Sequence, residues 1–218
     1  MEIESIRSKV IDYKQKGKKL FTTSSFQSHS IILLHILSRI DNSIPVFFLD
    51  TGYHFPETIE YKEQITKLYN LNTIDLKSST PKNMQKDKNG RLLFTSDPDH
   101  CCYLNKVQPM ESILMSYDVW INGVRADQSK VRKEFKEEEN APHGVIRFHP
   151  VIDWTTKQIL DYRKEFDLPV HPLEAKGYMS IGCEPCTRKF DPDISEREAR
   201  WFGMNKTECG LHTELVIK

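Results

Sequence analysis

The chain has 218 residues, enough for one substantial buried core and marginal for two. Its 31 basic and 31 acidic residues balance, with a pI near 7.1, so no bulk field draws it to nucleic acid or to an anionic membrane surface. No apolar run approaches the roughly 20 residues of a membrane span, and the N-terminal stretch lacks the apolar core of a signal peptide, which makes a cytoplasmic location the default expectation.

In chain order, Ile3, Ile6, Val10 and Ile11 recur among charges as in an amphipathic first helix reaching about Gln15. The segment KLFTTSS reads as a strand, and SIILLHILSRI as a helix apolar on most faces and therefore buried against a sheet. IPVFFLDTG is a near-continuous apolar run between Pro45 and Gly52, the pattern of a strand covered on both sides. A helix from about Pro56 to Tyr69 opens on a proline, where a missing N–H does no harm. NTIDL, DVWINGV and HGVIRFHPV read as further strands, the last continuing the sheet or lying at its edge, and VQPMESILMS as a helix. In TTKQILDYRKEF, Thr155 and Gln158 have capping-box spacing at a helix start. Two polar stretches, Lys77 to Asp99 and the one around SKVRKEFKEEENAPHG, read as long loops. Strands alternating with helices predict an α/β fold, a mostly parallel sheet with helices on both faces and ligands at the carboxyl ends of the strands.

Five cysteines in a compartment that keeps thiols reduced suggest metal binding or redox chemistry rather than disulfides, and the odd count hints at four plus one. Cys101 and Cys102 are adjacent, and 80 residues separate Cys102 from the C-x-x-C turn of Cys183 and Cys186. Taken alone, that turn would serve a zinc knuckle, a redox pair or half of an iron-sulfur site. Vicinal cysteines are awkward ligands for one small tetrahedral ion and more easily satisfied by two irons of a larger cluster. Cys209 stands apart, in a polar tail where a thiol has no packing role to play.

CCYLNKVQPM, YMSIGCEPC, WINGVRADQS and ECGLH together resemble the assimilatory sulfonucleotide reductases, which reduce adenylyl sulfate (APS) or its 3′-phosphorylated form (PAPS) to sulfite. The likeness runs from about Leu20 to His212. It implies that Cys101, Cys102, Cys183 and Cys186 hold a 4Fe-4S cluster. It also implies a sulfonucleotide-binding domain over residues 1–200 and a mobile C-terminal tail, 201–218, carrying the catalytic cysteine. The oligomeric state is not legible, although members of the family are commonly dimers or tetramers.

The loop from Ser24 through Ser25, Phe26, Gln27, Ser28 and Ser30 lies between a strand and a helix start, where backbone N–H groups and the helix dipole hold anions. Its layout resembles the PP-loop, S-G-G-x-D-S, of the adenine nucleotide alpha hydrolase-like fold. Phe26 and Gln27 replace the glycines, and His29 stands where ATP-cleaving members keep an aspartate. Asp50, Thr51 and Gly52 end a strand where a ribose or base edge would sit, with a plain turn cap as the alternative. Arg125 resembles the family residue that faces the nucleotide, with an ordinary salt bridge as its alternative.

A thiolate suits attack on the sulfonyl sulfur with AMP leaving, which would put an S-sulfocysteine on Cys209. An external dithiol, thioredoxin or glutaredoxin, would then release sulfite. A tail that closes over substrate and swings out would serve both steps. Lys106, Arg197, Arg200 and His212 resemble the family's substrate-contacting residues, although the two arginines alone would suit a solvated helix face. RWFGMNKTECGLH departs from the family's Arg-Trp-Trp at Phe202, which suggests a tighter hinge. Two other readings remain: a PP-loop ligase or tRNA-thiolating enzyme with a structural cluster, and a zinc-stabilised nucleotide-binding module in which Cys209 is incidental. The residue at position 29 and the ECGLH tail speak against the former. The resemblance implies APS over PAPS, since cluster-bearing members mostly prefer it, whereas the loop TTSSFQSHS is closer to the PAPS type, and dual use stays open.

Overall fold

The computed structural model describes residues 2–191, 199–204, 206 and 208–215. Its elements in chain order are α1 (Ile3–Gln15), β1 (Leu20–Thr23), α2 (Ile31–Asp41), β2 (Val46–Asp50), α3 (Pro56–Leu68), β3 (Thr73–Lys77), α4 (Leu93–Ser96), α5 (Pro98–Cys102), α6 (Gln108–Leu114), β4 (Val119–Ile121), β5 (Glu138–Asn140), β6 (Ile146–Phe148) and α7 (Thr156–Glu165). The strands form one sheet in the order β3-β2-β1-β4-β6-β5. All neighbours pair parallel except β5, which runs antiparallel to β6.

Successive strand residues point to opposite faces, and the core divides accordingly. Leu20, Val46, Phe48, Val119 and Ile121 pack with α1, α2, α3 and α7. Phe21, Phe47, Leu49 and Trp120 face the other way, against Met110 and Leu114 of α6. The expected helices on both faces are therefore present, four against one. In α1 the buried stripe is Ile6, Val10 and Tyr13, while Ile3 and Ile11 are exposed, because the i, i+4, i+7 ladder selects one face only.

Three expectations change. The second face is completed by Leu211 and Leu215, so the described part of the tail is docked as core. The Lys77–Asp99 loop is folded back by a Lys86↔Leu92 bridge and contains α4, and its buried Gln85 exchanges hydrogen bonds with Asn105. The charged stretch after Ser129 supplies the edge strand β5, whose Glu138 accepts from Tyr13 and pairs with Lys9. A charged edge of this kind discourages pairing with a second chain. The Thr155–Gln158 capping box is formed as the sequence predicts.

Two histidines make the fold acid-sensitive. His149 donates from Nδ1 to the Lys136 carbonyl, and His171 bridges Thr58 Oγ1 and the Leu173 amide, both fully buried. Burial, reinforced at His149 by Arg147, lowers each from an ordinary 6.5 to about 4. The folded chain then resists a proton that the unfolded chain accepts, so their stabilisation is complete above pH 6.5 and is lost as pH falls towards 4. We expect up to about 3 kcal/mol per histidine over that window. Urea midpoints at pH 7 and pH 5 check this, and equal midpoints would contradict it.

Candidate active site

The strand order reverses between β1 and β4, and the loops leaving their carboxyl ends part around a cavity of about 440 Å³. From the loop after β1, Ser24, Ser25, Gln27 and Ser30 line it, with His29 beside them. Ser25 Oγ lies 3.0 Å from Ser30 Oγ, and Gln27 reaches back to Ser25 and across to the Ile181 amide. Burial, and then the charge of Arg125, lower the His29 pKa below its ordinary value. A neutral imidazole where a PP-loop keeps a carboxylate removes a magnesium ligand.

The charges facing the cavity are mostly positive: Lys106, Arg125, Arg132 and Arg200 against Asp127. In a chain with no net charge this is the local field an anionic ligand needs. Arg125 is buried, bonded to Asp127 and to Thr156 Oγ1, so the salt-bridge alternative and the cavity position hold together. Arg200 is buried too, its guanidinium donating to the Ile181 and Cys186 carbonyls and stacked on Trp201, and a solvated helix face is not its setting. A Cβ at Gly182 would collide with that guanidinium, so glycine is what lets the C-x-x-C segment approach. Arg197 lies outside the described residues.

Lys106 sits in a π-helical turn, Tyr103–Val107, directly after the cysteine pair. It lines both this cavity and a smaller one behind it, where Cys101, Cys102, Cys183 and Cys186 meet Tyr53, Phe94 and Trp201. Burial alone would lower its pKa, but the sulfurs of Cys183, Cys209 and Cys102 outweigh that and hold it above the ordinary lysine value. Burial pushes the Cys101 thiol up to about 12 and Cys186 to about 11, and raises Cys102 as well. The surroundings are furnished for anionic sulfur all the same. Thr51 Oγ1 is 3.3 Å from Cys183 Sγ, Asn105 Nδ2 is 3.6 Å from Cys101 Sγ, and among the described residues the buried Tyr53 hydroxyl has no partner. Among the described residues no three histidine, cysteine or acidic side chains converge on a point suited to one metal ion.

Cys209 and His212 line the large cavity from the tail. The tail is locked there by a buried ion pair: Arg132 grips Glu208 at 3.0 Å (Nε) and 2.9 Å (Nη2). Ser129 adds a third bond to Glu208, and the Cys209 amide donates to the same carboxylate. Removing one partner of such a pair strands the other charge, at a cost of about 3–5 kcal/mol. Arg132→Met is expected to speed alkylation of Cys209 at least tenfold, about 1.4 kcal/mol of lost docking. The Arg132→Met/Glu208→Gln double variant should recover part of that difference. An unchanged alkylation rate would remove the lock from the account.

Several sequence-predicted residues lie elsewhere. Phe26 is fully buried in the core against Phe48, its φ of 51° turning the side chain inward. Ser28 is buried too, accepting from the His171 amide and tying the loop to the 171 segment. Asp50 caps its own turn through the Gly52 amide and pairs with Lys77. Gly52 accepts from Lys82, and Thr51 faces the cysteines. None of the three lines the large cavity, because the chain bends sharply past the end of β2. Phe202 is half exposed under Arg188, outside the cavity wall. The sequence reading missed Arg132, Glu208 and Arg147. Arg132 sat unmarked in a charge run, whereas a charge between Ile146 and Phe148 of a strand was a signal that could have been followed.

A parallel sheet whose order reverses at a serine-rich, cation-lined cavity defines an α/β protein of the class that takes its ligands at the carboxyl ends of the strands. Among solved structures, phosphoadenylyl-sulfate reductase from Candida auris superposes with a TM-score of 0.70 at 24% identity, covering 84% of this chain and 87% of that one. FMN adenylyltransferase from Candida glabrata does so at 0.63 and 14% identity, covering 99% and 73%. Both speak to the fold alone. Residues 19–189 match the family model of the phosphoadenosine phosphosulfate reductase domain. The adenosine 5′-phosphosulfate reductase of Chelativorans sp. is 40% identical over 88% of this chain and 78% of its own length. The phosphoadenosine 5′-phosphosulfate reductase of Gloeobacter violaceus is 39% identical over 90% of this chain and 83% of its own length. The chain belongs to the phosphoadenosine phosphosulfate reductase family and is an enzyme acting on a sulfur group. Among the described residues no helix is long and apolar enough to cross a membrane.

Proposed function

We propose that this enzyme reduces APS to sulfite and AMP through a sulfonyl group carried on Cys209, with PAPS as the alternative substrate that the kinetic comparison below tests. The observation that carries the reading is that Cys209 and His212 share one cavity with the serine loop, Lys106, Arg125 and Arg200. The serine loop and its following helix would hold the phosphate, and Leu33, Leu34 and Phe48 offer the base an apolar wall.

The Cys209 thiolate attacks the sulfonyl sulfur. An S–S bond forms, the S–O bond to phosphate breaks, and AMP leaves with the bond's electron pair. Lys106 and Arg200 oppose the charge that gathers on the sulfonyl and phosphoryl oxygens, in a site whose wall the tail helps to form. A dithiol protein of the thioredoxin or glutaredoxin kind then attacks the Cys209 sulfur. Sulfite departs, a mixed disulfide forms, and the second thiol of the dithiol resolves it, supplying two electrons in all. That attack needs the sulfur exposed, so the tail must undock between the two steps.

Cys101, Cys102, Cys183 and Cys186 would hold a 4Fe-4S cluster. Two features support the fit: the four cysteines line one cavity, and Tyr53, Thr51 and Asn105 offer hydrogen-bond donors there. The group would supply a negative anchor for Lys106 and a brace between the two cysteine segments, not electrons for the substrate.

Incubation with sulfur-labelled APS, followed by peptide mapping, tests the reading. Label is expected on the Cys209 peptide and is expected to leave as sulfite when reduced thioredoxin is added. Unlabelled wild-type protein would refute the mechanism. A comparison of kcat/KM for APS and PAPS decides which nucleotide is preferred.

A further inference from the structure

Arg147 is a charge that the proposed chemistry does not use. It lies on β6 in register with Trp120 of β4, and is fully buried. Its guanidinium carbon is 4.9 Å from the Trp120 ring centre and 5.4 Å from that of Phe135. Glu139, which faces it across the β5–β6 pair, opposes its charge from beyond ion-pair distance, and among the described residues the Arg147 Nε has no hydrogen-bond partner. An ion held this way is costly unless something needs it. Its hydrogen bonds run to the tail: Nη2 is 3.0 Å from His212 Nδ1, and Nη1 is 3.3 Å from the Leu215 carbonyl.

A guanidinium has donors and no acceptor. The His212 Nδ1 facing it must therefore present a lone pair, which leaves the single proton of the neutral ring on Nε2. A second proton would have to enter at Nδ1, against the guanidinium. We infer that Arg147 is a positioning residue that holds the His212 ring as the neutral Nε2–H tautomer and pins residues 212–215 of the tail against the sheet. The inference rests on the reading of Cys209 and His212 as parts of one reaction site. Held so, the ring is a fixed hydrogen-bond donor for oxygens that gain charge as AMP leaves. A neutral ring also carries no readily lost proton with which to quench the Cys209 thiolate, whereas an imidazolium would. When the tail undocks, Arg147 loses both of these partners, so the tautomer is set only in the closed site.

The test uses full-length protein with histidine ring nitrogens labelled, the His212 resonances being identified by their loss in His212→Gln. Wild type is expected to show an unprotonated Nδ1 and a protonated Nε2. Arg147→Met keeps the volume and the contact with Trp120 and Phe135, and buried charges replaced by methionine are often tolerated. In that variant the ring is expected to populate the other tautomer. Its kcat for sulfite formation should fall about 100-fold, the low end of what a placed proton donor contributes. KM should stay within about threefold, because Arg147 does not line the cavity. Arg147→Lys should restore part of kcat together with the wild-type ring shifts. Unchanged ring shifts or an unchanged kcat in Arg147→Met would overturn the inference. Should the methionine variant fail to fold, a protonated Nδ1 in wild type overturns it by itself. If wild type makes no sulfite, the functional reading fails, and the ring shifts still decide the role of Arg147.

Discussion

Cys209→Ser is expected to lower sulfite formation by about 10⁴-fold or more, the scale on which enzymes lose a covalent nucleophile, while the purified protein stays brown. Serine is nearly isosteric, so the half-buried position beside the core formed by Leu211 and Leu215 should tolerate it. The loss would be chemical: a hydroxyl is a far weaker nucleophile than a thiolate near neutral pH, and its oxygen cannot form the S–S bond that the later exchange requires. The cysteine quartet lies behind Lys106 in a separate cavity and is untouched. Sulfite assay and visible absorbance on the same anaerobic preparation read the two halves of the expectation. Substantial turnover by the serine variant would show that Cys209 is not the carrier.

Cys183→Ser is expected to lose both colour and activity. Cys183 is buried, shares a hydrogen bond with Thr51 Oγ1, and bridges to His54, while the neighbouring Glu184 amide donates to the Tyr53 carbonyl at 2.7 Å. The C-x-x-C turn is thereby stitched to the segment after β2 as well as facing the pair on α5. Without the group that the four sulfurs would hold, the remaining thiols return to the protonated form that burial imposes, near 12 for Cys101 and 11 for Cys186. Lys106 then keeps its positive charge without the sulfur charges that oppose it, and the cavity wall it shares with Arg200 should loosen. Loss of a structural metal group removes several kcal/mol from a chain of this size, so Tm should fall by about 10 °C or more. Cys209→Ser should leave Tm within a few degrees, which separates the two kinds of cysteine. A colourless variant with normal turnover would show that the quartet is dispensable, and a zinc content with no iron in anaerobic wild type would replace the cluster outright.

Strands β1 to β4 and β6, helices α1, α2, α3, α6 and α7 and the Thr155 cap were legible because each is written in local periodicity and composition: Val46 to Leu49 are continuous and apolar, and Thr155 and Gln158 stand three apart, whereas β5 and α4 lie in polar stretches that carry no such pattern. The family was legible for a similar reason, since the cysteine spacing, the serine loop and ECGLH are short stretches that need no neighbour to be read. The same signals did not say which way single side chains point: Phe26, Ser28, Asp50 and Thr51 do not line the large cavity. A motif gives a segment, but which side chains of a loop face a cavity depends on the turn it makes, and a left-handed φ at Phe26 sends that ring into the core.

Residue types and spacing were enough for the parallel α/β plan and for setting Cys209, in the tail, apart from the two cysteine pairs. Only the folded chain decided that Leu211 and Leu215 are core, that Arg132 grips Glu208 across 76 residues, and that Arg147 sets the proton on His212. Periodicity reports what one element does with its own face, whereas a buried ion pair or a tautomer is a property of two distant segments brought together, and no local pattern in either segment records its partner.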